Sequence, residues 1–151
     1  MKITRIALAA PLALAATLAQ ADDDYYRLDP AYVQECGSCH VAYPPALLPR
    51  ESWQRLLGGL DKHYGSDASL DAAAQKSISD WVLASAGHGK RARSAPPQDR
   101  ITLGRWFIRE HREVPRAAWT RPAVKSAANC AACHEGAATG DYDDDRVSIP
   151  R

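Results

Sequence analysis

Cys36-Gly37-Ser38-Cys39-His40 and Cys130-Ala131-Ala132-Cys133-His134 are two copies of one five-residue pattern, C-x-x-C-H. This is the attachment signature of c-type haem. Two thiols three residues apart on a helical turn can each add to one haem vinyl group, and the adjacent imidazole then falls under the iron. Both copies together use all 4 cysteines of the chain. The pattern therefore predicts two haem c groups, held through thioethers by Cys36, Cys39, Cys130 and Cys133, with His40 and His134 as iron ligands. Other uses of paired cysteines fit less well. A thioredoxin-like redox pair goes with a βαβ pattern, which this chain lacks. A zinc site or a disulfide has no need of a histidine directly after each second cysteine.

The first 21 residues read as a targeting segment. Lys2 and Arg5 form a positive start, Ile6 to Leu18 is apolar apart from Pro11 and Thr17, and Ala19-Gln20-Ala21 fits a small-x-small cleavage site. The apolar run is too short to span a bilayer. The expectation is export to the periplasm, where c-type haem is attached in bacteria, so leader and motifs support each other. Cleavage before Asp22 removes Lys2 and Arg5 and leaves 17 basic against 18 acidic residues. No basic excess points to nucleic acid or an anionic membrane surface. The remaining chain has 1 Phe, no Met and many alanines. Such a sequence has difficulty burying enough apolar surface, and a haem-free chain is predicted to be largely unfolded.

Periodicity predicts an all-α protein packed around its two haems. A first helix starts at Asp29-Pro30, with Asp29 as N-cap, and runs into the first motif. A second is predicted from Arg50 to Tyr64, because Trp53, Leu56, Leu57, Leu60, His63 and Tyr64 form one stripe at the helical period. Gly65 is read as its stop. A third is predicted from a Ser69 cap to Ala86, with Ala74, Ile78, Trp81, Val82 and Ser85 inside and Gly87 as its end. A fourth is predicted over Leu103 to Arg112, carrying Trp106, Phe107, Glu110 and His111. Pro122 is read as another helix start that leads through Val124 and Ala128 into the second motif. The stretch 89–98 is basic and ends in Pro96-Pro97, so it reads as a linker between a first haem lobe, 22–88, and a second, 99–151. The acidic run Asp141 to Asp145 reads as solvated surface, and the four tryptophans as apolar filler with some in haem walls.

Each iron has a sixth position that is filled by Met, His, Lys or water, or is left open. Met1 is the only methionine and leaves with the leader, which excludes Met/His ligation. Three histidines remain. His63 and His111 each sit in an apolar helical pattern, one per lobe, and are predicted as the distal ligands. His88 lies in a glycine-rich basic loop and reads as exposed. The simplest pairing is His40 with His63 and His134 with His111, although spacing alone leaves a crossed pairing open.

The sequence resembles the periplasmic dihaem cytochrome c family of proteobacteria. The likeness covers nearly the whole chain after the leader. It runs from Cys36 through His40-Val41-Ala42-Tyr43-Pro44-Pro45, Leu48-Pro49, Trp53, Leu60 and His63-Tyr64-Gly65. It continues through Ala86-Gly87, Ile101-Thr102, Trp106, Glu110-His111, Trp119, Val124, Asn129 to His134, and Ile149-Pro150. Tyr64 stands where the family's His-Phe-Gly has phenylalanine, and keeps an aromatic ring. The resemblance implies a bis-histidine electron carrier with two low-potential haems. It also implies a membrane cytochrome b as donor and a small oxygen-binding monohaem cytochrome as acceptor. The expectation is an electron carrier with no acid–base catalytic residues. The alternatives are a small peroxidase or reductase, or a gas-binding protein, each of which needs one open distal site.

Overall fold

A computed structural model describes residues 25–151. The predicted leader, 1–21, lies outside the described residues. Those residues contain helices and turns with no strand; pairing of the β type is confined to isolated bridges such as Pro49 with Gly87. Four α-helices occur among the described residues: α1, Pro30–Cys36; α2, Arg50–Leu57; α3, Ala72–Ala84; and α4, Arg105–Glu110. The protein is all-α, as its periodicity predicts.

The caps explain where the helices begin. Asp29 accepts hydrogen bonds from the N–H groups of Ala31 and Tyr32 at 2.9 and 3.0 Å. These satisfy donors that have no partner inside α1, and Pro30 brings none to satisfy. Asp71 does the same for α3 through Ala73 and Ala74. Ser69, the cap expected from sequence, lies outside that helix, in a turn closed by the Asp67 carboxylate.

α2 packs on α3, with α1 against α3. Together with the 41–49 segment they enclose Tyr32, Ala42, Leu48, Trp53, Leu57, Ile78 and Val82. Each large side chain in that set contributes roughly 1.5–3 kcal/mol of apolar burial. The Trp53 indole N–H donates to the Pro45 carbonyl at 2.8 Å, so its polar edge is satisfied inside the core. The second half is thinner. Its buried apolar side chains are Phe107, Ala118, Val124 and Ala137, and its turns are mostly 3-10.

Besides the shifted ends of α3, two helices differ in extent from the sequence expectation. α2 stops at Leu57 and does not reach Tyr64, because Gly58-Gly59 interrupts it. Two consecutive glycines cost about 2 kcal/mol of helix propensity relative to alanine, and the Leu60–Lys62 turn that follows delivers His63 in an extended conformation. The predicted Leu103–Arg112 helix is divided at Gly104 into a 3-10 turn, Ile101–Leu103, and α4, with His111 as the residue that closes α4. Pro122 starts no helix. Turns around Arg121, Val124 and Ser126 lead instead to a 3-10 turn at Cys130–Ala132. In the 89–98 stretch, Ala92 is buried against Gly87.

Gly87 is a close-approach position rather than the end of α3, which closes at Ser85. A Cβ there would lie 2.1 Å from the Ala46 carbonyl oxygen and 2.6 Å from Ala92 Cβ. Its N–H donates to the carbonyls of Leu48 and Pro45 at 2.8 and 3.1 Å. Gly87→Ala is expected to destabilise the protein by about 1–3 kcal/mol through overpacking. A urea midpoint equal to that of the parent would contradict this.

Candidate haem sites

The first site is assembled around the end of α1. Cys36 is the last residue of α1, and the turn after it carries Cys39 and His40. The His40 ring stacks on Tyr43, with centroids 4.5 Å apart and planes 15° apart. Its Nδ1 lies 2.7 Å from the Val41 carbonyl oxygen. A carbonyl only accepts, so Nδ1 carries the proton and Nε2 keeps its lone pair for a metal. The turn after Gly58-Gly59 brings His63 opposite: the two imidazole centroids are 6.3 Å apart and their planes 26° apart. Burial and the neighbouring His40 lower the His63 pKa, which favours the neutral, ligating form.

The second site is built from α4 and the tail of the chain. Phe107 and His111 are four residues apart on one face of α4, so their rings stack at 3.9 Å. The His111 Nδ1–H donates to the Phe107 carbonyl at 2.9 Å, which again leaves Nε2 free. His134 faces it with ring centroids 6.2 Å apart, at 67° between planes. A cleft is lined by Cys130, Cys133, His111, His134, Phe107 and Trp119, among others. Thus Trp119 is a wall of the site, whereas Trp53 belongs to the core. The Tyr142 ring lies against His134, with centroids 5.3 Å apart.

These separations fit one six-coordinate iron per pair. Metal–imidazole bonds are about 2.0–2.1 Å, and an imidazole nitrogen lies about 1.1 Å from its ring centre for bonds near 1.33 Å. Two rings sharing one metal therefore stand about 6.2–6.4 Å apart. His88 is exposed and outside both pairs. The thiols also suit attachment better than redox exchange. All four are free. Burial pushes Cys36 and Cys130 up to about 11, the opposite of the lowered pKa that marks a reactive redox thiol. Among the described residues no three His, Cys, Asp or Glu side chains converge as a zinc site requires. In the acidic run, Arg146 pairs with Asp141 and Asp143.

The two sites are tied to one another. The Tyr43 hydroxyl donates to the Ala128 carbonyl at 2.7 Å, two residues before Cys130, while its own carbonyl accepts from buried Tyr32 at 2.7 Å. Sequence reading did not single out Tyr43, Trp119 or Tyr142 as site residues. Only Phe107 had a local signal, its helical spacing from His111.

Comparison with solved structures finds a dihaem c-type cytochrome from Shewanella baltica OS155. It is 37% identical, covers 80% of this chain and 92% of that one, and superposes with a TM-score of 0.70. A dihaem cytochrome c from Rhodobacter sphaeroides is 39% identical over 78% of this chain and 99% of that one, with a TM-score of 0.69. No curated protein matches. The family model described as dihaem cytochrome c matches residues 32–142, a span that holds both attachment motifs and all four paired histidines. On that evidence this chain belongs to the dihaem cytochrome c family and carries two covalently bound iron-containing c-type haems.

Proposed function

We propose that this c-type cytochrome is an exported electron carrier whose two irons are each held by two imidazoles, His40 with His63 and His134 with His111. The observation that carries the reading is the pair of ring separations, 6.3 and 6.2 Å, each matching a shared six-coordinate metal. When bound, the haems supply a one-electron ferric/ferrous couple. The polypeptide fixes the ligands. Carbonyls of Val41 and Phe107 hold the Nδ1 protons of His40 and His111, so tautomer and ring orientation do not change with the electron. Phe107, Trp119 and Tyr142 keep water from the second site. Imidazole on both sides favours ferric iron more than a thioether does, and low potentials follow. With both positions filled by the chain, the function is electron transfer rather than peroxide or oxygen chemistry.

Export through the 1–21 leader is part of this proposal, and no helix among the described residues is long and apolar enough to cross a membrane. We propose a membrane cytochrome b as donor and a small monohaem cytochrome as acceptor, on the family resemblance.

Electron paramagnetic resonance of the oxidised holoprotein tests the ligation. Near-parallel rings at the first site and near-perpendicular rings at the second are expected to give two different low-spin signals of equal weight, one rhombic and one strongly anisotropic. His63→Ala is expected to convert only the rhombic one to high spin. A high-spin signal from the parent protein, or stoichiometric carbon monoxide binding to it at neutral pH, would overturn the bis-imidazole reading.

A further inference from the structure

The two distal histidines are held in different ways. His111 is fixed within its own helix, by the Nδ1 bond to Phe107 and the stacking of that ring. The Nδ1 atom of His63 is buried and has no hydrogen-bond partner. Its ring has Tyr64 edge-on at 4.9 Å, and its backbone sits in a short turn closed by Ser66. The Ala68 N–H closes the loop on the Leu60 carbonyl at 2.8 Å, but no local bond reaches the imidazole itself, so contacts from outside the loop bear on where the ring sits.

A distant segment does so. The Arg100 guanidinium lies 4.1 Å over the Tyr64 ring, and the Tyr64 hydroxyl donates to the Gln98 carbonyl at 3.0 Å. The segment is in turn fastened to α2. Arg55 makes a two-pronged contact with the Asp99 carboxylate, at 2.6 and 2.8 Å, and also reaches the fully buried Ser52. Backbone strain marks the same place. Four non-glycine residues have positive φ among the described residues, and three of them are here: Tyr64 at 49°, Gln98 at 57° and Asp99 at 55°. Left-handed backbone at non-glycine residues persists only where surrounding contacts over-determine it. The contacts just named are those determinants, and they converge on the residue next to His63.

We propose that the Arg55–Asp99 and Arg100–Tyr64 contacts form a clamp that keeps His63 in place, and that releasing the clamp turns the first haem, but not the second, into a binding site for a neutral diatomic ligand. This rests on the assignment of His63 as a distal ligand. In the exchange the bond from the reduced iron to imidazole breaks and a bond to the diatomic forms, with no change in electron count at the metal. The second haem stays closed, because its distal imidazole is held locally, by the Phe107 carbonyl on Nδ1 and the Phe107 ring against the imidazole face.

Carbon monoxide uptake by the dithionite-reduced holoprotein tests this. Asp99→Ala and Arg100→Ala are expected to take up carbon monoxide at a single haem, on the order of tenfold faster than the parent, because uptake follows the fraction of molecules with His63 released. In a His63→Ala background, already open at the first haem, adding Asp99→Ala is expected to change nothing further. The charge swap Arg55→Asp with Asp99→Arg is expected to restore slow uptake. Far-ultraviolet circular dichroism and the anisotropic signal of the second haem should match the parent in each variant. Variants as slow as the parent would overturn the clamp while leaving the bis-imidazole reading intact. Opening of both haems together would also overturn it, since the contacts would then hold only the general fold. Rapid uptake by the parent protein would instead remove the ligation on which the clamp depends.

Discussion

A chain carrying Cys130→Ser and Cys133→Ser is expected to keep its first haem and the α1–α3 core while losing fixed structure over 105–142. The reason lies in what each half buries. The continuous core cluster runs from Tyr32 to Val82 and contains Trp53, Leu48, Leu57, Ile78 and Val82. At roughly 1.5–3 kcal/mol for each large buried side chain, it offsets much of the ordering cost of two packed helices. The second half buries Phe107 and Val124 together with two alanines. Its longest regular element is α4, Arg105–Glu110, followed by short 3-10 turns, whose hydrogen-bond geometry is poorer than that of an α-helix. Conformational entropy of about 1–2 kcal/mol per residue cannot be met by so little apolar contact. The cleft between Phe107, Trp119 and His134 is where a macrocycle supplies the missing core.

Hydrogen exchange read by mass spectrometry checks this. In the variant, amides of 105–142 are expected to exchange as in an unfolded chain, while α2 and α3 stay protected. The mirror variant, Cys36→Ser with Cys39→Ser, should retain part of the helical signal. Full protection of 105–142 without the second haem would mean that the polypeptide packs there by itself. The broader expectation of a largely unfolded haem-free chain then becomes specific: disorder is greatest where alanine replaces large aliphatic residues.

Much of this was legible in the sequence, for local reasons. Both motifs, the Asp29-Pro30 start and the Ile78–Val82 face depend on neighbours within a few residues, and the all-α class follows from them. The absence of methionine after position 1 excluded Met/His ligation and drew attention to His63 and His111 as distal candidates. The helix through His63 was misread because a clean stripe at the helical period outweighed Gly58-Gly59. A stripe needs only spacing, whereas the helix needs every backbone in between. The approach to the second motif was misread for the opposite reason. A proline that suits a first turn says nothing of whether the residues after it have an apolar face to bury. The Arg55–Asp99 pair joins residues 44 positions apart, and Tyr43 meets Ala128 across 85. No pattern in one sequence carries such contacts.

Trp53→Ala is expected to remove about 3–5 kcal/mol of stability, against a total of about 5–15 kcal/mol for a domain of this size. Trp53 is buried among Tyr32, Leu48, Leu57 and Val82 where α2 meets α3. Its loss leaves a cavity that helices anchored at Asp71 and Gly87 cannot close by sliding. The indole hydrogen bond adds less. The Pro45 carbonyl still accepts from the N–H groups of Gly87 and Leu48 at 3.1 and 3.3 Å, so it is not orphaned. Trp53→Phe, which keeps most of the volume, separates the two contributions and is expected to cost well under half as much as Trp53→Ala. With a urea slope of about 1–3 kcal/mol per molar, the alanine midpoint should fall on the order of 2 M. α2 also carries Arg55 and leads into the His63 turn, so the first haem should lose its low-spin spectrum at lower urea than the second. A midpoint within about 0.5 M of the parent would show that α2 and α3 are held together by haem contacts rather than by Trp53.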